Sequence, residues 1–171
     1  MERAMITRKR NSHCSYCGEP FMPGGFPKTC ERCKITSWQP PIPVVIVLAP
    51  IGGQLIGIVR GIEPHIGKPA LPGGYVDPGE SFRQAGKREL WEETAIDLPV
   101  EQFTIIDERS SSSGQHSLVF VRSPEVLAWK HLTKPFVPNA EVLERIILDG
   151  SEELAYDHHT QVMRAFLSGR L

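Results

Sequence analysis

Two Cys-x-x-Cys pairs, Cys14–Cys17 and Cys30–Cys33, stand twelve residues apart near the start of a 171-residue chain that has no other cysteine. This paired spacing constrains the chain more tightly than any other local feature. Each pair presents two thiolates to one ion, and four thiolates complete a tetrahedral zinc shell. Gly18 follows the first pair, where a tight turn calls for positive φ. Pro20, Pro23, Gly24, Gly25 and Pro27 lie between the pairs and suit a hairpin loop, not a helix. Two disulfides or four free thiols are the alternatives. A chain with no secretory signal keeps its thiols reduced, which favours the metal. His13 could replace one ligand, but four cysteines already make a full set. Four protein ligands leave no position for water, so the expectation is a structural Zn²⁺ on Cys14, Cys17, Cys30 and Cys33.

The charge follows the same division. The net charge of −1 hides a net of +4 over residues 1–34 and of −5 over the remainder. A basic zinc ribbon with Tyr16, Phe21 and Phe26 is one form that nucleic-acid binding takes. A charge this modest is accounted for by a solvated tail, so nucleic acid is not expected as a partner. No apolar run is long enough to span a bilayer; the longest, Val44 to Ala49, suits a buried strand. The simplest expectation is a cytoplasmic protein with no membrane contact.

Residues 1–10 read as a basic tail, 11–37 as the ribbon and 38–43 as a stiff connector with Pro40, Pro41 and Pro43. Residues 44–171 read as the main domain. There Val44–Ala49 and Gln54–Arg60 read as a hairpin around Pro50–Gly53. Val100–Ile106 and His116–Arg122 are further strands, joined by the loop Ser110–Gly114. Val142–Leu148 is a strand or a short helix, and Leu154–Leu167 an amphipathic helix. The class is α/β, a mixed sheet flanked by helices.

The chemistry concentrates between Gly73 and Ile96. Turns at Pro72-Gly73-Gly74 and Pro78-Gly79 lead into a helix starting at Glu80 or Ser81 and running to about Thr94. Glu89, Glu92 and Glu93, spaced i, i+3, i+4, fall within one arc of that helix roughly 100° wide. Three like charges side by side repel, and a divalent cation reverses the sign. Carboxylate oxygens favour Mg²⁺ or Mn²⁺, which join carboxylates to substrate phosphates. Arg88, four residues before Glu92, can hold that carboxylate in place. Leu90, Phe82 and Ala85 are the packing residues, and Trp91, away from the glutamate arc, is expected to pack as well. An exposed acidic helix face would look similar, but the glycine loop lets backbone and substrate come close.

Gly74, then Glu80, then Arg88-Glu89-Leu90-x-Glu92-Glu93-x-Ala95-Ile96, at these spacings, resembles the signature of the Nudix hydrolase family. Every signature position matches except Ala95, where the family has glycine. Ala95 stands just past the helix, where a left-handed cap would cost alanine about 1–2 kcal/mol. The resemblance covers about Val44 to Leu171. It implies the Nudix α/β/α sandwich around a mixed sheet, preceded here by a small zinc ribbon. It also implies Mg²⁺- or Mn²⁺-dependent hydrolysis of a nucleoside diphosphate linked to another group. A zinc ribbon ahead of such a domain is similar to the arrangement in NADH pyrophosphatases and their relatives.

On this reading Glu89, Glu92 and Glu93 hold the metal, with Gly74, Glu80 and Arg88 completing the catalytic set. The base is one of these acids, or Glu141 or Glu144 from a stretch similar to the family's late acidic segment. The expected substrate is a dinucleotide such as NADH or FAD, or an ADP-sugar such as ADP-ribose. No Ser-Gln-Pro-Trp-Pro-Phe-Pro type stretch follows the box, so architecture alone supports that choice. A nucleotide-sensing module joined to a ribbon, or a broad triphosphate pyrophosphatase, are the alternatives. Trp38, Trp129 and Tyr75 are candidate base contacts, and His158-His159 more plausibly packs than ligates. A homodimer stays open.

Overall fold

The structure, a computed structural model, describes residues 11–132 and 135–171. The basic tail 1–10 lies outside the described residues, and so does the side chain of Trp129. The chain divides into two compact units, one ending at Pro41 and the other spanning Ile42–Leu171. No helix among the described residues is long and apolar enough to cross a membrane.

The first unit is built on two matching turns. Gly18 N–H donates to Cys14 O and Lys34 N–H to Cys30 O, each closing one Cys-x-x-Cys loop. The residue after each pair is left-handed, Gly18 at φ 76° and Lys34 at φ 60°. Strands β1 (Lys28–Thr29) and β2 (Thr36–Ser37) pair antiparallel beside the second turn.

In the second unit, β3 (Ile42–Ile51) is the sheet's central strand, and its apolar run is why. It starts at Ile42, so the last two residues of the proline-rich segment belong to it. Val45, Val47 and Ala49 point into one apolar core and Ile46 and Leu48 into another, the alternation any strand imposes. β4 (Gln54–Arg60) returns from the turn and pairs antiparallel with Ala49–Ile51. β5 (Pro69–Ala70) borders β4, and β6 (Gly73–Tyr75) pairs with Val44–Ile46. β7 (Thr104–Ser110) and β8 (His116–Arg122) form an antiparallel pair. β8 runs parallel to β3 from Ile42↔His116 to Leu48↔Arg122. β9 (Val142–Leu148) is a strand and pairs with β4, which resolves the strand-or-helix alternative.

Helix α1 (Phe82–Thr94) covers one face of this mixed sheet through Ala85 and Leu90. A short α2 (Ala128–His131) lies between β8 and β9. α3 (Asp157–Leu167) covers the other face through Val162 and Met163. The result is the expected α/β/α sandwich. α3 begins at Asp157 rather than Leu154, because Ala155 N–H is drawn to Pro69 O and its backbone is committed to the sheet edge. β7 begins at Thr104, since Val100–Gln102 forms a 3₁₀ turn that delivers Phe103 to the core. Trp91 is 56% exposed: α1 buries a narrow stripe, and Trp91 lies outside it.

α1 starts where the sequence says it should. Ser81 caps it, its hydroxyl accepting from Gln84 N–H while Gln84 Oε1 accepts from Ser81 N–H. The other end closes on Ala95, left-handed at φ 58° and ψ 23°, with its N–H donating to Trp91 O at 2.8 Å. Ala95→Gly is therefore expected to stabilise the protein by about 0.5–1 kcal/mol, the relieved strain less the extra chain entropy of glycine. Thermal unfolding should show a rise of roughly 1–4 °C, and a fall would mean the cap is not strained.

Candidate active site

Gly74 lies beneath α1, where a larger residue would displace the Glu89 carboxylate from its place on the backbone. A Cβ there would lie 2.5 Å from Glu89 Oε1 and 2.8 Å from its Cδ. The Glu89 carboxylate is packed onto the glycine backbone. One residue earlier, Gly73 N–H donates to Glu93 Oε2 at 2.8 Å. The loop thus holds two buried carboxylates from successive turns of α1.

Arg88 ties the rest together. Its Nε and Nη2 donate to the two carboxylate oxygens of Glu80, each at 2.9 Å. Its Nη1 donates to Glu89 at 2.7 Å and to Glu92 at 3.0 Å, and Nη2 also donates to Tyr75 O. The Glu92 contact is the one the spacing predicted. The fork onto Glu80, eight residues back, is not legible from helical spacing alone.

Electrostatics separates these acids. The Arg88 fork holds Glu80 below its ordinary value. Burial pushes Glu89 up, helped by the charges of Glu92 and Glu141, against Arg88. Burial pushes Glu93 up to about 8; the Gly73 N–H opposes, Glu89 and Glu141 add, and Arg60 opposes. The carboxylates on Arg88, Glu80 first, raise that guanidinium further.

The two late acids part company. The charge of Glu141 reaches both Glu89 and Glu93. Arg145 Nη1 donates to Thr94 O at the end of α1, which puts Arg145 on the α1 face and its neighbour Glu144 on the other. Arg145 also supplies the cation that the last turn of α1 lacks. Nothing in the local sequence announces it, because the contact spans 51 positions.

Tyr75 is 58% exposed, with its ring 6.0 Å from that of His116. His159 is buried against Tyr156 and Phe120 and held down to about 3, by burial first. His158 has both ring nitrogens buried without a partner. Trp38 is exposed in the first unit.

The four cysteines form a second centre. They are free, with Sγ–Sγ separations of 3.7 Å for Cys14–Cys33 and 3.6 Å for Cys17–Cys30. Among the described residues they are the one group whose ligand atoms all lie within 4.8 Å of one another; the glutamates are not drawn that close. A tetrahedron with Zn–S bonds of about 2.3 Å has edges of about 3.8 Å, so the cluster could hold a zinc ion. Backbone N–H groups of Cys17 and Tyr16 bring the Cys14 thiol down to about 7.

The NAD-capped RNA hydrolase NudC of Stutzerimonas stutzeri (strain A1501) is 32% identical over 92 residues, 53% of this chain and 33% of the relative. The chain thus spans about a third of the length of that curated relative. A crystal structure of a NUDIX hydrolase from Nitrosomonas europaea superposes with a TM-score of 0.70 at 22% identity, covering 93% of this chain and 92% of the other. The NUDIX domain of Shewanella oneidensis NrtR, complexed with ADP ribose, superposes with a TM-score of 0.62 at 18% identity, covering 78% of this chain and 91% of the other. Residues 40–153 match the family model described as the NUDIX domain, from just before β3 to just beyond β9, and the chain belongs to the NUDIX family.

Proposed function

We propose that this chain is a divalent-cation-dependent pyrophosphohydrolase acting on a nucleoside diphosphate derivative. The observation that carries this is the pair of buried carboxylates, Glu89 and Glu93, lodged against Gly74 and Gly73. Burial raises both, so as a structural element the pair is costly. Its donor set of hard carboxylate oxygens fits Mg²⁺ or Mn²⁺. Glu89, Glu92 and Glu93 would hold the cation. When bound, it neutralises the diphosphate and acidifies a water.

The chain's own groups do the rest. Arg88 keeps Glu89 and Glu92 oriented while Glu80 anchors the guanidinium from behind. Glu141, whose charge reaches the buried pair, is the better base than Glu144. A carboxylate oxygen of Glu141 accepts the proton of the attacking water. Tyr75, next to Gly74 and backed by His116, offers an aromatic face for a nucleobase. Catalysis on this scheme is mostly positioning plus electrostatic stabilisation.

The substrate proposed is NADH, NAD or ADP-ribose. NudC is named for NAD-capped RNA and the NrtR domain was crystallised with ADP ribose, and both ligands contain ADP joined to ribose. The first unit is proposed as a structural zinc ribbon.

Incubation with Mg²⁺ and a panel of NADH, NAD, FAD, ADP-ribose, dinucleoside polyphosphates and nucleoside triphosphates tests class and substrate together. Cleavage releasing AMP from NADH or ADP-ribose is expected. Binding without cleavage of any member would favour a sensor instead.

A further inference from the structure

The last turn of α1 carries Glu92 and Glu93, and by its own sequence it is poorly built to hold them. Carboxylates there stand against the negative end of the helix, and the turn has no basic residue of its own. Its closing cap is Ala95, left-handed where glycine would be at ease. Thr94 O, like the other final carbonyls, has no partner within the helix.

The partner comes from β9. Arg145 Nη1 donates to Thr94 O at 2.8 Å, across 51 positions. The Phe136 ring lies 6.0 Å from the guanidinium carbon and packs this arginine in place. Arg145 is half-buried, and burial draws its guanidinium down from the ordinary value. No carboxylate pairs with it among the described residues, whereas Arg88 carries three. A desolvated cation without an acid is costly. What compensates this one is the carbonyl end of α1. Two fastenings therefore bracket Glu93. Gly73 N–H holds its carboxylate, and Arg145 holds the carbonyl of the next residue.

We propose that Arg145 is a positioning residue for the cation site: through Thr94 O it holds the last turn of α1, and with it Glu92 and Glu93, in the arrangement that takes the cation. This rests on the hydrolase reading for the cation. Without the bond the turn frays, and only the fraction of molecules with an intact turn can bind, which lowers the apparent affinity.

Titration of the full chain with Mn²⁺ alone, zinc retained, reads the site without turnover; the binding that counts is the part Glu93→Gln abolishes. Arg145→Met is expected to weaken it roughly 10-fold or more, with faster amide exchange at Glu92–Ala95. Arg145→Lys should lose less, since an ammonium keeps a charge at the carbonyl end. Val162→Ala, a truncation in the core beneath α3 on the opposite face of the sheet, controls for lost stability and should leave Mn²⁺ affinity unchanged. Equal Mn²⁺ affinity in wild type and Arg145→Met overturns the proposal. So does a loss shared by Val162→Ala, or one that lysine does not ease. If Arg145→Met does not fold, Arg145→Gln, which keeps a donor without the charge, decides: unchanged affinity overturns the proposal. A wild type with no such Mn²⁺ binding overturns the hydrolase reading and this one together, whereas equal affinities in a wild type that binds Mn²⁺ overturn this one alone.

Discussion

Glu93→Gln is expected to lower turnover by about 10³-fold or more while leaving the fold intact. The amide keeps an oxygen to accept the Gly73 N–H, so the local geometry survives. What is lost is a carboxylate proposed to hold the cation. The same variant carries a stability signature with a definite sign. Folding raises Glu93 from an ordinary 4.5 to about 8, so between those values the native state binds this proton more tightly than the unfolded chain. The contribution is fully present below about pH 4.5 and is lost progressively as pH rises through 8. Glu89 is shifted in the same direction by the same cause. Without added divalent cation, and with zinc retained, the wild-type melting temperature should fall between pH 5 and pH 8. Glu93→Gln should fall less, and Mg²⁺ should restore the wild type at the alkaline end. A wild-type profile that does not decline, or near-wild-type turnover by Glu93→Gln, would remove this account of the site.

Removal of zinc is expected to unfold the first unit and leave the second folded. Among the described residues before Pro41 the buried side chains are Cys14, Cys30 and Ser37, so this unit has thiols where a domain ordinarily has a hydrophobic core. The binding free energy of a structural zinc, about 10 kcal/mol or more, would then be the folding free energy of the unit. Metal analysis should find one zinc per chain. After stripping by a strong chelator, amide signals of residues 11–41 should collapse towards random-coil positions. Those of the sheet and of α1 and α3 should persist. Less than half a zinc per chain, or a first unit that keeps its signals after stripping, sinks the assignment. Cys30→Ala should reproduce the chelator's effect, since three thiols cannot close the shell.

Much of this molecule was legible in one dimension. Apolar runs and turns located β3, β4 and β8, and the turns at Pro72-Gly73-Gly74 and Pro78-Gly79 located the start of α1. The departure at Ala95 was legible too, and the left-handed conformation there shows that the turn is kept and the strain accepted. Errors fell where tertiary contacts outweigh local preference. The start of α3 gave way to a backbone bond with Pro69, and Val100–Gln102 turned to deliver Phe103 to the core. Trp91 was read as packing on its helical position, but a narrow buried stripe leaves it in solvent.

Residue spacing by itself determined which carboxylates share a helix face and which thiols can meet. Both follow from covalent geometry over a few residues, a 3.6-residue turn in one case and a two-residue loop in the other. Tertiary structure alone decided which acids are desolvated and which arginine is neutralised. Arg88 and Arg60 are the same residue type, yet one is saturated by Glu80, Glu89 and Glu92 while the other rests on the carbonyls of Ile62 and Pro64, with no carboxylate paired to it among the described residues. Burial and charge pairing depend on groups brought together from across the chain, and the packing of β4, β9 and α1 sets them.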